Sequence, residues 1–278
     1  MARLRKWRIA IFMAVGVFLA GLIMFVALTC YLASGAEMVP VLMYHELVDS
    51  SEKESRYSLS VEKFRDHLKY LKSAGYSPIT DGDLLFARNG GSSLPFKPVI
   101  ITFDDGSSDH ATLAMNSLAE QGFRAVFFII TERIGQPNFL NRDQLRTMHN
   151  AGMSIQSHGH THRRLDRMAS DKLADDLRLS MEALTNLLAT NAVSLCVPGG
   201  WYNEDVLNSA RTTGYRLVFT SDIGMNRIYG SNPILKRLEI RGGTDSGGFK
   251  RALSPMGIAF NALIRQIKLV GHMLRGNS

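Results

Sequence analysis

From residue 39 onward the apolar positions fall into two alternating patterns. Short apolar runs occur at 39–44, 99–103, 125–130, 154–156, 194–196 and 217–220. They read as buried parallel strands, because a strand covered on both faces needs apolar residues at nearly every position. Between the runs, apolar residues recur at helical spacing. Val61, Phe64, Leu68 and Leu71 follow Ser60, a candidate N-cap, and similar patterns occupy 109–121, 141–151, 170–188 and 203–213. Four helical patterns end in a glycine and a hydrophobic residue, at Gly75-Tyr76, Gly122-Phe123, Gly152-Met153 and Gly214-Tyr215. Glycine takes the left-handed conformation that ends a helix, and the apolar residue after it starts a strand. Strands alternating with helices predict an α/β fold, either an open doubly wound sheet or a closed barrel. No Gly-rich dinucleotide or phosphate-loop signature follows a strand. Polar clusters follow several of them instead, which favours the barrel, where functional side chains collect at the C-terminal strand ends.

The first segment is of another kind. Residues 9–32 contain no charged side chain, a run long enough to cross a bilayer at ~1.5 Å per helical residue. Arg3, Arg5, Lys6 and Arg8 precede it, so the positive-inside rule predicts a single-pass anchor in the cytoplasmic membrane. Its N-terminus is then inside, and the rest of the chain lies in the periplasm or the cell exterior. The competing reading is a cleaved signal peptide ending at Ser34-Gly35-Ala36, but the apolar run exceeds the roughly 7–15 residues of a signal core. The expected division is therefore a flank and anchor over 1–36 and one domain over 37–278. Cys30 falls in the apolar run and Cys196 in the domain, so no disulfide joins them. The formal charge of +7 includes the four flank charges, which leaves a mildly basic domain and no argument for nucleic acid. A C-terminal stripe of Phe260, Leu263, Ile264, Ile267 and Leu274 reads as a core-covering or membrane-surface helix.

Two segments carry chemistry. In Thr102-Phe103-Asp104-Asp105-Gly106 a buried strand runs into adjacent carboxylates and a glycine turn. A metal can take one carboxylate and leave the other as a base. An Asx turn, with the next helix capped by Ser107, Ser108 or Asp109, is the plainer alternative. About fifty residues on, another strand ends in His158-Gly159-His160-Thr161-His162. His158 and His162, four apart, face the same way in a helical turn, and Asp105 completes three ligands with an open position. His160 lies two residues from each and reads as a solvent-facing or supporting residue.

Together these motifs resemble the NodB-type polysaccharide deacetylase family, whose first two motifs are Thr-Phe-Asp-Asp-Gly and His-(Ser/Thr)-x-x-His. The resemblance spans roughly residues 39–240, with Gly159 in place of the usual hydroxyl residue. It implies a distorted (β/α) barrel of about seven strands and one divalent metal ion, usually Zn2+. It also implies hydrolysis of N-acetyl groups on an amino-sugar polysaccharide, with Asp104 as general base and Asp105, His158 and His162 as metal ligands. The third motif, Arg-Pro-Pro-Tyr-Gly, falls on Cys196-Val197-Pro198-Gly199-Gly200, so its arginine and tyrosine are both missing. Gly199 is the expected backbone donor to the oxyanion, and Arg237 is the candidate spatial replacement for the arginine. Trp201, Tyr202 and Arg237 are expected among the substrate-binding residues. The late Leu-x-x-x-His motif that usually supplies the general acid is also absent. His45, directly after the first apolar run, is its candidate replacement, with acid, substrate-contact and hydrogen-bonding roles all open. These departures define an alternative, a catalytically impaired, deacetylase-like carbohydrate-binding protein.

Overall fold

In the computed structural model, which describes residues 38–49, 52–254, 256, 257 and 260, each of the six apolar runs forms a strand. They are β1 (Val41–Tyr44), β2 (Pro98–Phe103), β3 (Val126–Ile129), β4 (Ser154–Ser157), β5 (Ser194–Cys196) and β6 (Leu217–Ile223). A seventh, β7 (Ile234–Glu239), reads Ile-Leu-Lys-Arg-Leu-Glu, and its charges hide it from a search for apolar runs. The order around the sheet is β1-β7-β6-β5-β4-β3-β2, and β2 pairs again with β1. Every pairing in that ring is parallel, so the expected closed barrel of seven strands is the fold.

Closure sorts the side chains by parity. Val41, Ile100, Val126, Phe128, Cys196, Leu217, Phe219 and Leu235 form a core inside the ring. Their neighbours Leu42, Ile101, Phe127, Leu195, Val218 and Leu238 point outward into a second core beneath the helices. Those helices are α1 (Val61–Ser73), α2 (Asp81–Arg88), α3 (Leu113–Gln121), α4 (Arg142–Asn150), α5 (Ser170–Leu188), α6 (Glu204–Thr213) and α7 (Ser246–Leu253). Gly75, Gly122, Gly152 and Gly214 all have positive φ, as helix-ending glycines should. Ser60 occupies the N-cap of α1 without a capping side-chain bond.

Helix α2 closes the N-terminal end of the barrel. Thr80 and Asp83 form a reciprocal capping box at its start. Asp81 then accepts bonds from the Ser154 and Ser194 hydroxyls at the beginnings of β4 and β5, at 2.6 and 2.5 Å. From its last turn Arg88 donates to the carbonyls of Arg227, Ile228 and Asn232. With the N-terminal end plugged, the open end is the one where the strands finish. No helix among the described residues is long and apolar enough to cross a membrane. The run 9–32 and the apolar stripe beyond Phe260 lie outside the described residues.

Candidate active site

Five of the seven strands deliver a polar group to the C-terminal end. His45 follows β1, Asp104 and Asp105 follow β2, His158 follows β4, Gly199 lies just past β5, and Arg237 is within β7. All of these except Arg237 line a groove of about 1600 Å³.

Asp105, His158 and His162 form one cluster. Asp105 Oδ1 lies 3.4 Å from His158 Nε2 and 3.2 Å from His162 Nε2, and the three donor atoms sit within 4.8 Å of one another. Both Asp105 (φ 73°) and His162 (φ 59°) hold the left-handed conformation, which costs a side-chain-bearing residue energy and is stored where geometry matters. Burial pushes the Asp105 carboxyl up, but hydrogen bonds from His158 and His162 outweigh it and hold the group well below the usual carboxylate range. His158 Nδ1 donates to the Cys196 carbonyl at 2.8 Å, which holds the ring with Nε2 facing Asp105. One carboxylate and two oriented imidazoles on a groove wall fit a divalent ion of the zinc type, with one side left for water or substrate.

The histidine turn is held by a residue the motifs do not mention. Asp176 of α5, buried, accepts from the His160 and Thr161 backbone N–H groups at 2.7 and 3.0 Å, and from the Thr161 hydroxyl at 2.6 Å. This explains Gly159: with φ 73°, a Cβ there would stand 3.0 Å from Asp176 Oδ1. The signal in the sequence is an aspartate at helical spacing among Leu173, Leu177, Ser180 and Leu184 on the buried face of α5. His160 bonds Thr131 through Nδ1 and stays out of the cluster.

Asp104 is 3% exposed and gripped by Arg237, itself 1% exposed. The guanidinium donates from Nη1 to Asp104 Oδ1 at 2.7 Å and from Nη2 to Oδ2 at 2.8 Å. Its other N–H groups go to the Thr220 carbonyl, the Thr102 hydroxyl and the Cys196 sulfur, so all five donors are satisfied. Burial raises the Asp104 carboxyl, but the charge of Arg237 wins and keeps it below its ordinary value. Arg237, the candidate replacement for the third motif's arginine, thus stands beside both Asp104 and Cys196, reached from β7 rather than β5. It lies beneath the groove floor, away from the expected substrate contact. Cys196 leaves the space for it, and burial pushes the Cys196 thiol up, so it stays protonated.

His45 Nε2 lies 4.0 Å from Asp104 Oδ2, and its ring packs on Tyr57 at 5.0 Å between centroids. Burial lowers the imidazole below its ordinary value, against the pull of Asp104 and Asp105. Gly199 borders the groove with φ 65°. Trp201, half exposed, stacks under Arg164, and Tyr202 donates to Asp222. Neither lines the groove, whose far wall is built from Arg56, Tyr57, Glu239 and Arg241.

A parallel barrel with an Asp-His-His donor set and a buried, arginine-held carboxylate at its C-terminal end defines the class of barrels with a candidate site for catalytic chemistry at the strand ends. The family model of polysaccharide deacetylases matches residues 91–218. YxkH of Bacillus subtilis (strain 168), named as a polysaccharide deacetylase, is 30% identical over 188 residues, which are 67% of this chain and 65% of that protein. The poly-beta-1,6-N-acetyl-D-glucosamine N-deacetylase of Staphylococcus aureus (strain MRSA252) is 28% identical over 185 residues, 62% of this chain and 63% of its own. The chain thus spans just under two thirds of the length of these relatives. Among solved structures, the Streptococcus pyogenes deacetylase PplD superposes with a TM-score of 0.73 at 24% identity, covering 78% of this chain and 99% of that one. IcaB from Ammonifex degensii gives 0.67 at 23% identity, covering 81% and 97%; both show the shared fold. Over residues 91–218 the chain is a member of the polysaccharide deacetylase family.

Proposed function

We propose that this chain is a metal-dependent hydrolase that removes N-acetyl groups from amino-sugar residues of a polysaccharide outside the cytoplasmic membrane. The observation that carries the reading is the juxtaposition of the Asp105-His158-His162 donors with a separate, arginine-held Asp104 on one groove. The S. aureus relative, named for poly-β-1,6-N-acetyl-D-glucosamine, supports an amino-sugar polymer as substrate.

Asp105, His158 and His162 would hold the ion. When bound, it supplies Lewis acidity that polarises the acetamide carbonyl and lowers the pKa of water. The Asp104 carboxylate, fixed by Arg237, accepts the proton that water loses as its oxygen adds to the carbonyl carbon. The Gly199 backbone N–H donates to the oxygen on which charge develops. His45, 4.0 Å from Asp104, takes that proton on from the Asp104 carboxyl and hands it to the sugar nitrogen as the carbon–nitrogen bond breaks, which leaves acetate, a free amine and the Asp104 carboxylate restored. Non-catalytic carbohydrate binding is the competing reading. It draws on the altered third motif and the missing late histidine; the bonds from Arg237 to Asp104 weigh against it.

The test is acetate release from poly-β-1,6-N-acetylglucosamine and chitooligosaccharides, with and without chelator, alongside metal content. Asp104→Asn should keep metal and lose on the order of 10²–10⁴ in turnover. Asp105→Asn and His158→Ala should lose metal as well. Full activity in both aspartate variants would refute the mechanism. The extracytoplasmic placement rests on the basic flank and uncharged run of 1–36; a reporter fused after residue 278 that is active inside the cytoplasm would refute it.

A further inference from the structure

The two ends of the barrel differ in charge. The connections that lead into strands at the N-terminal end, from helices at 74–76, 89–97, 122–125, 151–153, 189–193 and 214–216 and from β6 at 224–233, contain Lys97, Arg124, Arg216 and Arg227 and no acidic residue. On the α2 plug beside them, Asp81 is buried and Asp83 pairs with Arg124 at 3.0 Å. At the opposite end the connections carry both signs, with Glu46, Asp109, Glu132 and Asp245 among them. The basic end also exposes large aromatic side chains: Phe86 is 61% exposed, Phe96 74% and Tyr229 50%. Phe86 lies on α2, Phe96 just before β2, and Tyr229 in the segment before β7.

The chain enters the domain at this same end. Met38–Val39 pairs antiparallel with Asn226–Arg227, two residues before Tyr229. Only residues 33–37 separate Met38 from the uncharged run 9–32. Five residues reach at most about 18 Å when fully extended.

We propose that the N-terminal end of the barrel faces the membrane and rests on anionic lipid headgroups. Phe86, Phe96 and Tyr229 sit at the interface, and Lys97, Arg216 and Arg227 provide the attraction. Aromatic side chains favour the headgroup level, and basic residues near an anionic leaflet are drawn to it. The inference rests on the reading of 9–32 as a membrane span. It adds an orientation: the groove, at the opposite end, opens away from the lipid toward a polymer outside.

The chain has two tryptophans, Trp7 and Trp201, and Trp201 marks the groove end. The full chain carrying Trp7→Phe is reconstituted into vesicles of phosphatidylcholine, with or without phosphatidylglycerol, bearing a headgroup-attached quencher. Two reporters carry Trp201→Phe as well, with Phe96→Trp in one and Tyr229→Trp in the other. Both should be quenched roughly twofold or more in anionic vesicles, while Trp201 in the chain carrying Trp7→Phe alone is unaffected. Adding Lys97→Glu, Arg216→Glu and Arg227→Glu should remove the difference between anionic and neutral vesicles. A chain that floats with the vesicles while both reporters behave like Trp201 overturns the orientation and leaves the anchor standing. Reporters shielded from the lipid quencher and from aqueous iodide alike show a second copy on this face, and overturn it too. A chain that does not float overturns the anchor reading, and the orientation with it.

Discussion

Replacing Arg237 with methionine tests whether the buried ion pair is what makes Asp104 usable. Methionine fills similar volume, so the main loss is electrostatic. Two charge-assisted bonds to Asp104, at 2.7 and 2.8 Å, disappear, and a carboxylate that is 3% exposed is left without its counter-charge. Removing one partner of a buried pair costs about 3–5 kcal/mol. At roughly 2–4 °C per kcal/mol for a domain of this size, the thermal midpoint of the full chain in detergent should drop by about 10 °C. Turnover should fall on the order of 10²–10³, because the carboxylate loses the fork that aims it, while metal content stays unchanged. The double variant Asp104→Asn with Arg237→Met removes both charges, so it should be more stable than Arg237→Met alone although equally inactive. Arg237→Lys should fall between, since a point charge cannot bond both oxygens. Wild-type turnover in Arg237→Met, or a double variant no more stable than the single one, would refute the reasoning.

Two further outcomes follow from buried groups away from the reacting atoms. Asp176→Ala should lower metal affinity about 10–100-fold with the three ligands intact, since the His160 and Thr161 N–H groups lose the acceptor that shapes the turn; unchanged affinity by metal titration would remove Asp176 from the site. His67 is fully buried, bonded to the Tyr44 hydroxyl and the Thr244 carbonyl and stacked on Phe249, and burial lowers it from 6.5 to about 4 against the opposing pull of Thr244. The unfolded chain therefore takes up a proton below pH 6.5 that the folded chain refuses until about pH 4. His67 contributes fully above pH 6.5, and stability is lost as pH falls from there to 4, by up to roughly 3 kcal/mol. His67→Gln should flatten that part of the profile in thermal unfolding between pH 7 and 4, and an unchanged slope would count against it.

Local pattern alone determined much of this protein. The six apolar runs became strands and the four glycines ended helices, because burial on both faces and a left-handed φ are demands made residue by residue. The pairing of Asp104-Asp105 with His158-x-x-x-His162 was legible too, since each pair sits within one turn at a strand end. What sequence left hidden is whatever depends on the ring closing. Strand β7 carries Lys236, Arg237 and Glu239, and only its neighbours on both sides show that Arg237 points inward. Position 196 looked like a lost arginine, yet Cys196 and Arg237, 3.1 Å apart, are neighbours across the barrel interior. The expected contacts of Trp201 and Tyr202 went the other way, because the turn after β5 aims them toward Arg164 and Asp222 rather than the groove. The sequence by itself determined which groups could do the chemistry. Tertiary structure decided which of them meet, because a carboxylate buried at a strand end takes its counter-charge from whichever strand the barrel brings alongside, at any distance along the chain.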